Sequence, residues 1–420
     1  MYQSILEKAK TETEWISFLD YKLERQHLSK QEETEIRNFI EKKAFLPLCA
    51  LWEQNAFPAT LPIRRAVNKE GTKKKRIVYS FPGEEGIFLK FIAYHLFAFD
   101  DVFSKNCYAF RRGYGVKDAI RRLRTTPGIR QKYCLKIDVS NYFNSIDVDI
   151  LLKKLDFVEK SDPKLFRLLQ KILKEDRVIN GDSPSGNHDK STNTTSPGIL
   201  TDSHGAMAGT PISPFFANVY LSELDFLFEE LNVPYFRYSD DILIFADTMA
   251  DLQYYRERLE AVLTKLRLSV NPEKVTVTAP GEVFEFLGFS YREGEIDLSA
   301  NTIRKMKGKI KRKADALRRW QRKKNLSADK AAIGFIRAMN YKFYGDDSDE
   351  FSWNRWFFPN LTTDAGLKEI DAYMQEYIRY AVTGRHYKGN YRIRYDQLKK
   401  WGYRNLVHEF YASRENSAES

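Results

Sequence analysis

The sequence predicts an α+β fold, and three observations carry that prediction. Two β-favouring apolar runs, Tyr235–Tyr238 and Ile242–Phe245, flank a Ser239-Asp240-Asp241 step and read as a hairpin. A second apolar strand, Leu135–Val139, is interrupted by a single acid, Asp138. Helical periodicity fills much of the remainder, from capping-box patterns near the N-terminus to a long cationic stretch from Arg304.

Composition sets the outer bounds. A chain of 420 residues can hold about two or three sub-domains around a substantial core. Apolar residues make up 43% and charged residues 30%, the balance of a globular rather than a disordered chain. A net charge of +11 with 14% aromatics points to a polyanionic partner, nucleic acid foremost; a basic protein without a special partner is the plain alternative. Cys49, Cys107 and Cys134 are far apart and odd in number, so neither a disulfide framework nor a zinc site is indicated. Met1–Lys8 lacks the apolar core of a signal peptide. No apolar run approaches the roughly 18 residues that span a bilayer, so a cytoplasmic protein with no membrane partner is expected. There is no internal repeat, Walker loop or dinucleotide fingerprint.

Residues 1–50 read as packing helices. Thr11-x-x-Glu14 and Ser29-x-x-Glu32 are capping boxes; Trp15, Phe18 and Leu19 share one helical face, and Ile36, Phe39 and Ile40 another. Two β-prone stretches then flank an Asn68-Lys69-Glu70-Gly71 turn. The second opens with Lys73, Lys74, Lys75 and Arg76, a ribbon that suits a triphosphate or phosphodiester as well as it suits a solvated turn. Residues 86–103 read as an apolar helix. Tyr108–Gly115 sets Arg111 and Arg112 among aromatics and glycines, ahead of a helix from Lys117. Arginine binds phosphate bidentately and stacks on bases, which makes Arg111 and Arg112 candidates for nucleic-acid contact.

Residues 147–175 read as helical. Gly181–His204, rich in Ser, Thr, Asn and Gly, reads as a loop or insertion whose His188 and His204 have no ligating spacing. A Gly/Pro loop, Gly205–Pro214, opens a helix through Asp225, with Ser213 as N-cap and Pro214 in the first turn. Its small residues let a ligand approach the backbone closely. Leu252–Leu268 is an amphipathic helix, Ser269–Val275 leads into a strand, and Phe284–Tyr291 reads as strand and turn. Arg304–Lys324 holds twelve Lys or Arg and one acid, Asp315. Ile303, Met306, Ile310, Ala314, Leu317 and Trp320 form one apolar stripe, leaving Arg304, Lys311, Arg312, Arg318 and Arg319 for the phosphates of a duplex or, alternatively, a membrane surface. Residues 346–420 interleave tyrosine with cations, which suits stacking on RNA or a small helical core equally.

The chemistry sits in the carboxylates. Asp240 and Asp241, adjacent at a hairpin tip, repel one another when ionised unless cations neutralise them. Oxygen donors suit Mg²⁺, with Mn²⁺ as an alternative. Asp-Asp is also ordinary turn chemistry. Asp138 shifts the balance, because an acid inside an otherwise buried strand is costly without a partner. A metal shared with Asp240 supplies one; a salt bridge to Lys136 or another cation is the other solution.

In order, a basic hairpin is followed by an apolar strand with Asp138 and an aromatic five residues on. Next come Gly209-Thr210-Pro211-Ile212-Ser213-Pro214 opening a helix that ends in Leu224-Asp225, then Tyr238-Ser239-Asp240-Asp241, Asn271-x-x-Lys274 and Phe286-Leu287-Gly288. This order, over roughly residues 60–345, resembles the reverse transcriptases from fingers to palm to thumb. The resemblance implies a right-hand polymerase fold with an N-terminal helical segment (1–50), fingers and palm (51–300), a helical thumb (301–345) and a basic, aromatic helical extension (346–420). It implies an RNA-directed DNA polymerase that extends a 3′-hydroxyl with dNTPs by two-metal phosphoryl transfer to yield a DNA product. Asp138, Asp240 and Asp241 then become metal-binding carboxylates and the Val139 carbonyl a further ligand for two Mg²⁺. Phe143 falls where these enzymes exclude a ribose 2′-hydroxyl. Arg76 with Lys75 clamps the triphosphate, Pro211 belongs to the loop against the nucleotide, and Lys274 protonates pyrophosphate. Phe286, Leu287 and Gly288 form the primer grip, and Tyr238 and Ser239 shape the turn beneath the primer end.

Ala208 stands where many relatives carry Gln, which puts processivity and sugar selection in question. No endonuclease, integrase or ribonuclease H segment follows the thumb, which disfavours a self-mobile element. The Ala-Gly-Thr-Pro loop and Tyr/Arg-rich tail look like the defence-associated "unknown group" reverse transcriptases of bacteria, relatives of the retron and abortive-infection enzymes. That subgroup implies anti-phage defence and a dedicated structured non-coding RNA as template or scaffold. Template-independent or protein-primed DNA synthesis on the same fold, and a non-catalytic RNA-binding scaffold, are the alternatives. Phe143 disfavours an RNA-dependent RNA polymerase.

Overall fold

The computed structural model of the chain describes residues 3–25, 28–68, 75–182, 198–292, 294–345 and 352–418. They belong to two compact units, Met1–Pro280 and Gly281–Ser420. In the first, the N-terminal segment is helical: Ile5–Ala9, Glu12–Arg25, Lys30–Glu41 and Phe45–Glu53. Ser29 and Glu32 close a full capping box. The two apolar faces meet around Trp15, whose ring stacks on Phe91 at 3.9 Å and on Phe45 at 5.5 Å. Its Nε1 donates to Ala9 O at 2.8 Å, so the indole is buried with its polar atom satisfied. The apolar helix runs Gly83–Leu96 and tightens into a 3-10 turn, Phe97–Val102.

Two sheets organise this unit. Strands β1 (Ile63–Asn68) and β2 (Lys75–Ser80) pair antiparallel from Ile63↔Ser80 to Asn68↔Lys75. The turn between them, with Lys73 and Lys74, lies outside the described residues. The remaining strands of the unit are β3 (Tyr133–Asp138), β4 (Arg177–Asn180), β5 (Ile199–Thr201), β6 (Tyr235–Tyr238), β7 (Asp241–Ala246) and β8 (Thr276–Thr278). The first sheet has the order β2-β1-β4-β5, with β4 parallel to β1. The second, β6-β7-β3-β8, is antiparallel throughout. Its central strands carry buried residues on both faces, among them Cys134, Leu135, Ile137, Leu243 and Ile244. The helices Ser213–Glu230 and Met249–Lys265 pack against it.

Several local expectations change. The stretch read as a loop ends in β5, because Ile199 and Leu200 give too little apolar signal beside their polar neighbours; residues 183–197, with His188, lie outside the described residues. His204 is buried against Glu175 O and Gly205 O, a structural histidine. Ser213 is the first helical residue rather than the N-cap, and its Oγ donates to Thr210 O at 2.9 Å. Residues 147–175 divide into Val148–Lys154, Asp156–Ser161 and Pro163–Lys174, the last capped by Asp162 with proline in its first turn.

The second unit holds β9 (Phe284–Phe286), β10 (Phe289–Arg292) and β11 (Glu295–Leu298) in the order β11-β10-β9. Three long helices follow, Ala300–Lys324, Ala328–Tyr344 and Ala365–Thr383, packed on one another. The cationic helix buries Met306, Ile310 and Ala314, but Trp320 is 46% exposed, so the apolar stripe stops short of the C-terminal turns. No helix among the described residues is long and apolar enough to cross a membrane.

His95 gives the first unit an acid-sensitive point. Its buried ring packs on Phe91 and Tyr94, and Nε2 makes no hydrogen bond although Glu14 Oε2 lies 3.6 Å away. Burial first, then Lys8 and Arg112, lower its pKa to about 3. The folded state therefore holds this imidazole neutral, and stability drops as pH falls below the unfolded value of about 6.5, by up to about 1.4 kcal/mol per pH unit. Replacing His95 with Phe should narrow the stability difference between pH 7 and pH 5, measured by urea unfolding, by about 1–2 kcal/mol; equal acid sensitivity in both proteins would contradict this.

Candidate active site

Asp138 ends β3 and Asp241 begins β7, and the register pairs them directly. Tyr238 of β6 also pairs with Asp241, leaving Ser239-Asp240 as a two-residue turn. Ser239 adopts φ 61°, a left-handed conformation that bulky side chains rarely take. Val139 N donates to Asp240 O at 3.1 Å, Asn271 N to Asp138 O at 3.0 Å and Ser140 N to Ser269 O at 2.9 Å. The acids thus sit on a backbone tied from three sides.

Their electrostatics are unfavourable without a cation. Burial, then repulsion from Asp138, lifts the Asp240 carboxyl above its ordinary range. Burial pushes Asp241 up to about 6, against the pull of Lys136, whose Nζ lies 3.6 Å from Asp241 Oδ1. That oxygen is buried and makes no hydrogen bond among the described residues. Lys274, in the turn Pro272–Lys274, sits on Asp138 with Nζ 2.5 Å from Oδ2. The salt-bridge partner of Asp138 is therefore Lys274, and Lys136 serves Asp241. Three carboxylates meet two ammonium groups, and no ready-made cage of three or more His, Cys, Asp or Glu exists among the described residues. Hard oxygen donors in excess of their lysine partners fit a divalent cation of the Mg²⁺ type.

Beneath the hairpin lies a network that the sequence signals only faintly. Arg237, fully buried on β6, donates through Nε to Asp225 Oδ1 at 2.7 Å and through Nη2 to Oδ2 at 2.5 Å. Its Nη1 reaches Ser239 O at 3.2 Å and Asn218 Oδ1 at 3.3 Å. Tyr235 donates to Asp225 at 2.8 Å, and Asn218 Nδ2 to Ala109 O at 2.8 Å. Helix 213–230 thereby grips the Ser239-Asp240 turn through a charge pair with no solvent exposure. The available clues are an arginine inside an apolar strand and an aspartate inside an apolar helix, each in need of a buried partner.

On the other side, Phe143 stands edge-on to Phe110 at 6.2 Å, and Phe110 lies 6.5 Å from Tyr238. Phe110, with φ 58° and 40% exposed, joins this ring wall, a residue that the sequence reading did not single out beside Arg111 and Arg112. Asn144 ties the wall to its surroundings: Nδ2 donates to Ile77 O of β2 at 3.2 Å, and Oδ1 accepts from Ala208 N at 3.1 Å. Tyr79 N donates to Ala208 O at 2.7 Å, and Gly209, with φ 102°, lies so close to β2 that a Cβ would meet Tyr79 O at 2.9 Å. Gly209 and Pro211 join Phe110 in lining a cavity of about 350 Å³. Lys75 and Arg76 are exposed at the start of β2 and form no ion pair among the described residues.

Other expected site residues lie elsewhere. Arg111 is not available to nucleic acid as anticipated: its guanidinium donates to Ser104 O, Cys107 O and Asp100 O and lies 4.1 Å over Tyr114. Carbonyls of the preceding residues take up its Nη donors, and Nε lies 3.5 Å from Asp100 Oδ2. Arg112 lies against Tyr21, Tyr94 and Phe97. In the second unit, Phe286 is buried and Leu287-Gly288 make a two-residue turn with φ 54° and 88°. The turn is fixed by Thr302 Oγ1 donating to Gly288 O at 2.8 Å. Arg304, Lys311, Arg312 and Arg319 are exposed on the cationic helix. Arg318 instead packs over Tyr380 and against Gly384, and is a helix-packing residue.

Carboxylates at a strand end and a hairpin tip of an antiparallel sheet, facing a glycine-proline loop and a ring wall, define the palm of a right-hand polymerase. Residues 67–291 match the reverse transcriptase (RNA-dependent DNA polymerase) family, and the chain belongs to that family. Its enzymes are nucleotidyltransferases that generally work with divalent metal ions. No curated protein matches the sequence. Similar solved structures include apo telomerase from Candida tropicalis truncated from its C-terminal domain, 11% identical over 61% of this chain and 60% of that one, with a TM-score of 0.45. Apo telomerase from Candida tropicalis is 10% identical over 86% and 73% at 0.45. Telomerase from Candida albicans with a TWJ fragment of telomeric RNA is 12% identical over 91% and 70% at 0.39. The chain thus spans 60% of the first of these structures.

Removing one partner of the buried Arg237–Asp225 pair should cost about 3–5 kcal/mol, because it strands a charge in the core. Unfolding of Asp225→Asn, Arg237→Met and the Asp225→Leu/Arg237→Met double variant checks this. Each single variant should be less stable than the double; single variants within about 1 kcal/mol of wild type would contradict it.

Proposed function

We propose that the chain extends a 3′-hydroxyl with dNTPs on an RNA template. The observation that carries this reading is the Asp138–Asp240–Asp241 cluster, negatively charged beyond its two lysines, in a chain of the reverse transcriptase family. Asp138, Asp240 and the Val139 carbonyl would hold two Mg²⁺, with Asp241 as their companion and Mn²⁺ as a substitute. Bound there, the ions supply the charge neutralisation that phosphoryl transfer needs. Lys274 holds Asp138 in place through their ion pair, and is the proton donor for pyrophosphate. Phe143, braced by Phe110, closes the sugar side of the site against a 2′-hydroxyl. Lys75 and Arg76 offer exposed cations to the triphosphate, and Pro211 lies on the loop that Asn144 holds toward the nucleotide. Tyr238 and Ser239 shape the turn beneath the primer end.

In the second unit, Phe286-Leu287-Gly288 grips the primer strand, and Arg304, Lys311, Arg312 and Arg319 meet duplex phosphates from the thumb. The biological setting we propose is anti-phage defence in a bacterial cytoplasm, with a structured non-coding RNA as template or scaffold. Its support is the resemblance of the Ala208–Pro211 loop and the Tyr/Arg-rich tail to defence-associated reverse transcriptases.

Asp138→Asn or Asp240→Asn should lower dNTP incorporation on an RNA template at least about a hundredfold while RNA binding persists. Full incorporation by either variant would remove the metal assignment. Phe143→Ala should raise ribonucleotide use relative to dNTPs by roughly ten- to a hundredfold in single-nucleotide extension. Unchanged discrimination would end its role as a gate.

A further inference from the structure

The second unit contains a cavity of about 970 Å³ that lies outside the residues matched to the family. Its wall includes the helix Ala365–Thr383 and the strap Arg385–Arg394 that follows it. The strap carries four cations, Arg385, Lys388, Arg392 and Arg394, and no acid. It is a built structure. Asn390 Nδ2 donates to Arg385 O at 2.7 Å, Asn390 N to Tyr387 O at 3.0 Å, and Ile393 N to Asn390 O at 3.1 Å. His386 pins it to the helix by stacking on Tyr380 at 4.5 Å and pairing with Glu376 at 2.8 Å.

Beneath the strap lies Arg379, only 8% exposed and part of the cavity wall. Its Nε donates to Ile393 O at 3.0 Å, and among the described residues it has no acidic partner. A buried guanidinium without a counter-ion is costly, and an anion in the cavity would supply one. The acids nearby are already engaged. Glu369 pairs with Lys307 at 2.7 Å, Glu376 with His386, and Asp371 accepts from Tyr403 and two backbone amides. Asn390 Oδ1, also in a cavity residue, is buried and makes no hydrogen bond.

Two tyrosines complete the arrangement. Tyr391 is 69% exposed with its ring 5.5 Å from the Arg379 guanidinium. Tyr387 is 55% exposed and its ring lies close to Gly389, where a Cβ would come within 2.2 Å of it. An exposed tyrosine braced from below is a stacking platform for a base, and an unpaired arginine beside it is a seat for the attached phosphate.

We propose that this cavity holds an unpaired nucleotide segment, with a phosphodiester on Arg379 and Lys388 and bases on Tyr387 and Tyr391. The site is separate from the carboxylates and anchors a single strand rather than a duplex, whose bases are not free to stack on side chains. It rests on the reading that the chain works on nucleic acid, and it deepens that reading by naming the unpaired part of the substrate as a second point of attachment.

The test uses the full chain and fluorescence anisotropy with a short labelled oligouridine, the matching oligodeoxyuridine, and a blunt RNA–DNA duplex. Tyr387→Ala/Tyr391→Ala should weaken single-strand binding by roughly ten- to a hundredfold, as expected for lost base stacking, with little change for the duplex. Both tyrosines are solvent-exposed, so the variant should keep the wild-type unfolding midpoint. Arg379→Gln should weaken the same binding and flatten its salt dependence. Gly389→Ala, which removes no contacting group but displaces the Tyr387 ring, should give a partial loss. A larger loss on RNA or on DNA tells which strand uses the site, and either supports it. Unchanged single-strand affinity in the double tyrosine variant, or an equal loss on the duplex, overturns it. Asp138→Asn separates the two claims, since it should abolish incorporation and keep wild-type oligonucleotide affinity.

Discussion

The burial of Asp240 and Asp241 beside Asp138 is the constraint around which the first unit is arranged. Burial first, and then the nearby Asp138, disfavour ionisation of Asp240 and lift its carboxyl above the ordinary range. The fold nevertheless fixes them there. The β3–β7 register sets Asp138 opposite Asp241, and the left-handed Ser239 turns Asp240 toward them. Lys274 and Lys136 offset part of the charge. What is left over is carboxylate charge in excess of its lysine partners, fixed by the backbone rather than by a flexible side chain.

Holding such a turn requires rigidity below it, and the Arg237–Asp225 pair supplies that. A buried ion pair is a weak source of net stability, because desolvation offsets most of its attraction. Its value here is geometric. Arg237 spends one donor on the Ser239 carbonyl, at the strained residue of the turn, and the rest on Asp225, Asn218 and Cys107. Burial pushes the Cys107 thiol up to about 12, so it stays protonated and inert. The turn is thereby tied to the helix that begins at the glycine-proline loop, so one helix connects that loop with the carboxylate turn.

Much of this was legible in the sequence because the decisive signals were local. An acid in an apolar strand, a Ser-Asp-Asp step between β-favouring runs, and a Gly-x-Pro loop before a helix each announce themselves within a few residues. The Arg237 network was only faintly legible, because its partners Cys107, Asn218 and Asp225 meet it only in the folded chain. Asn144 was missed for the same reason: its partners, Ile77 O and Ala208 N, are far away in sequence and are backbone atoms without a side-chain signature. Arg111 misled in the opposite direction. Its Arg-aromatic-glycine surroundings suit phosphate recognition, but carbonyls of the preceding residues take up its Nη donors. Trp320 shows that an apolar stripe predicts burial only as far as a neighbouring helix reaches.

The central claim is that the Asp138–Asp240 arrangement creates a divalent-cation site. Titrating the full chain with Mn²⁺ and following the free-ion signal by electron paramagnetic resonance tests it without any dependence on substrate. Wild type should remove Mn²⁺ from solution, and Mg²⁺ should release it by competition. Asp138→Asn and Asp240→Asn, folded as judged by their unfolding midpoints, should lose that binding. Undiminished Mn²⁺ uptake in both variants would contradict the account.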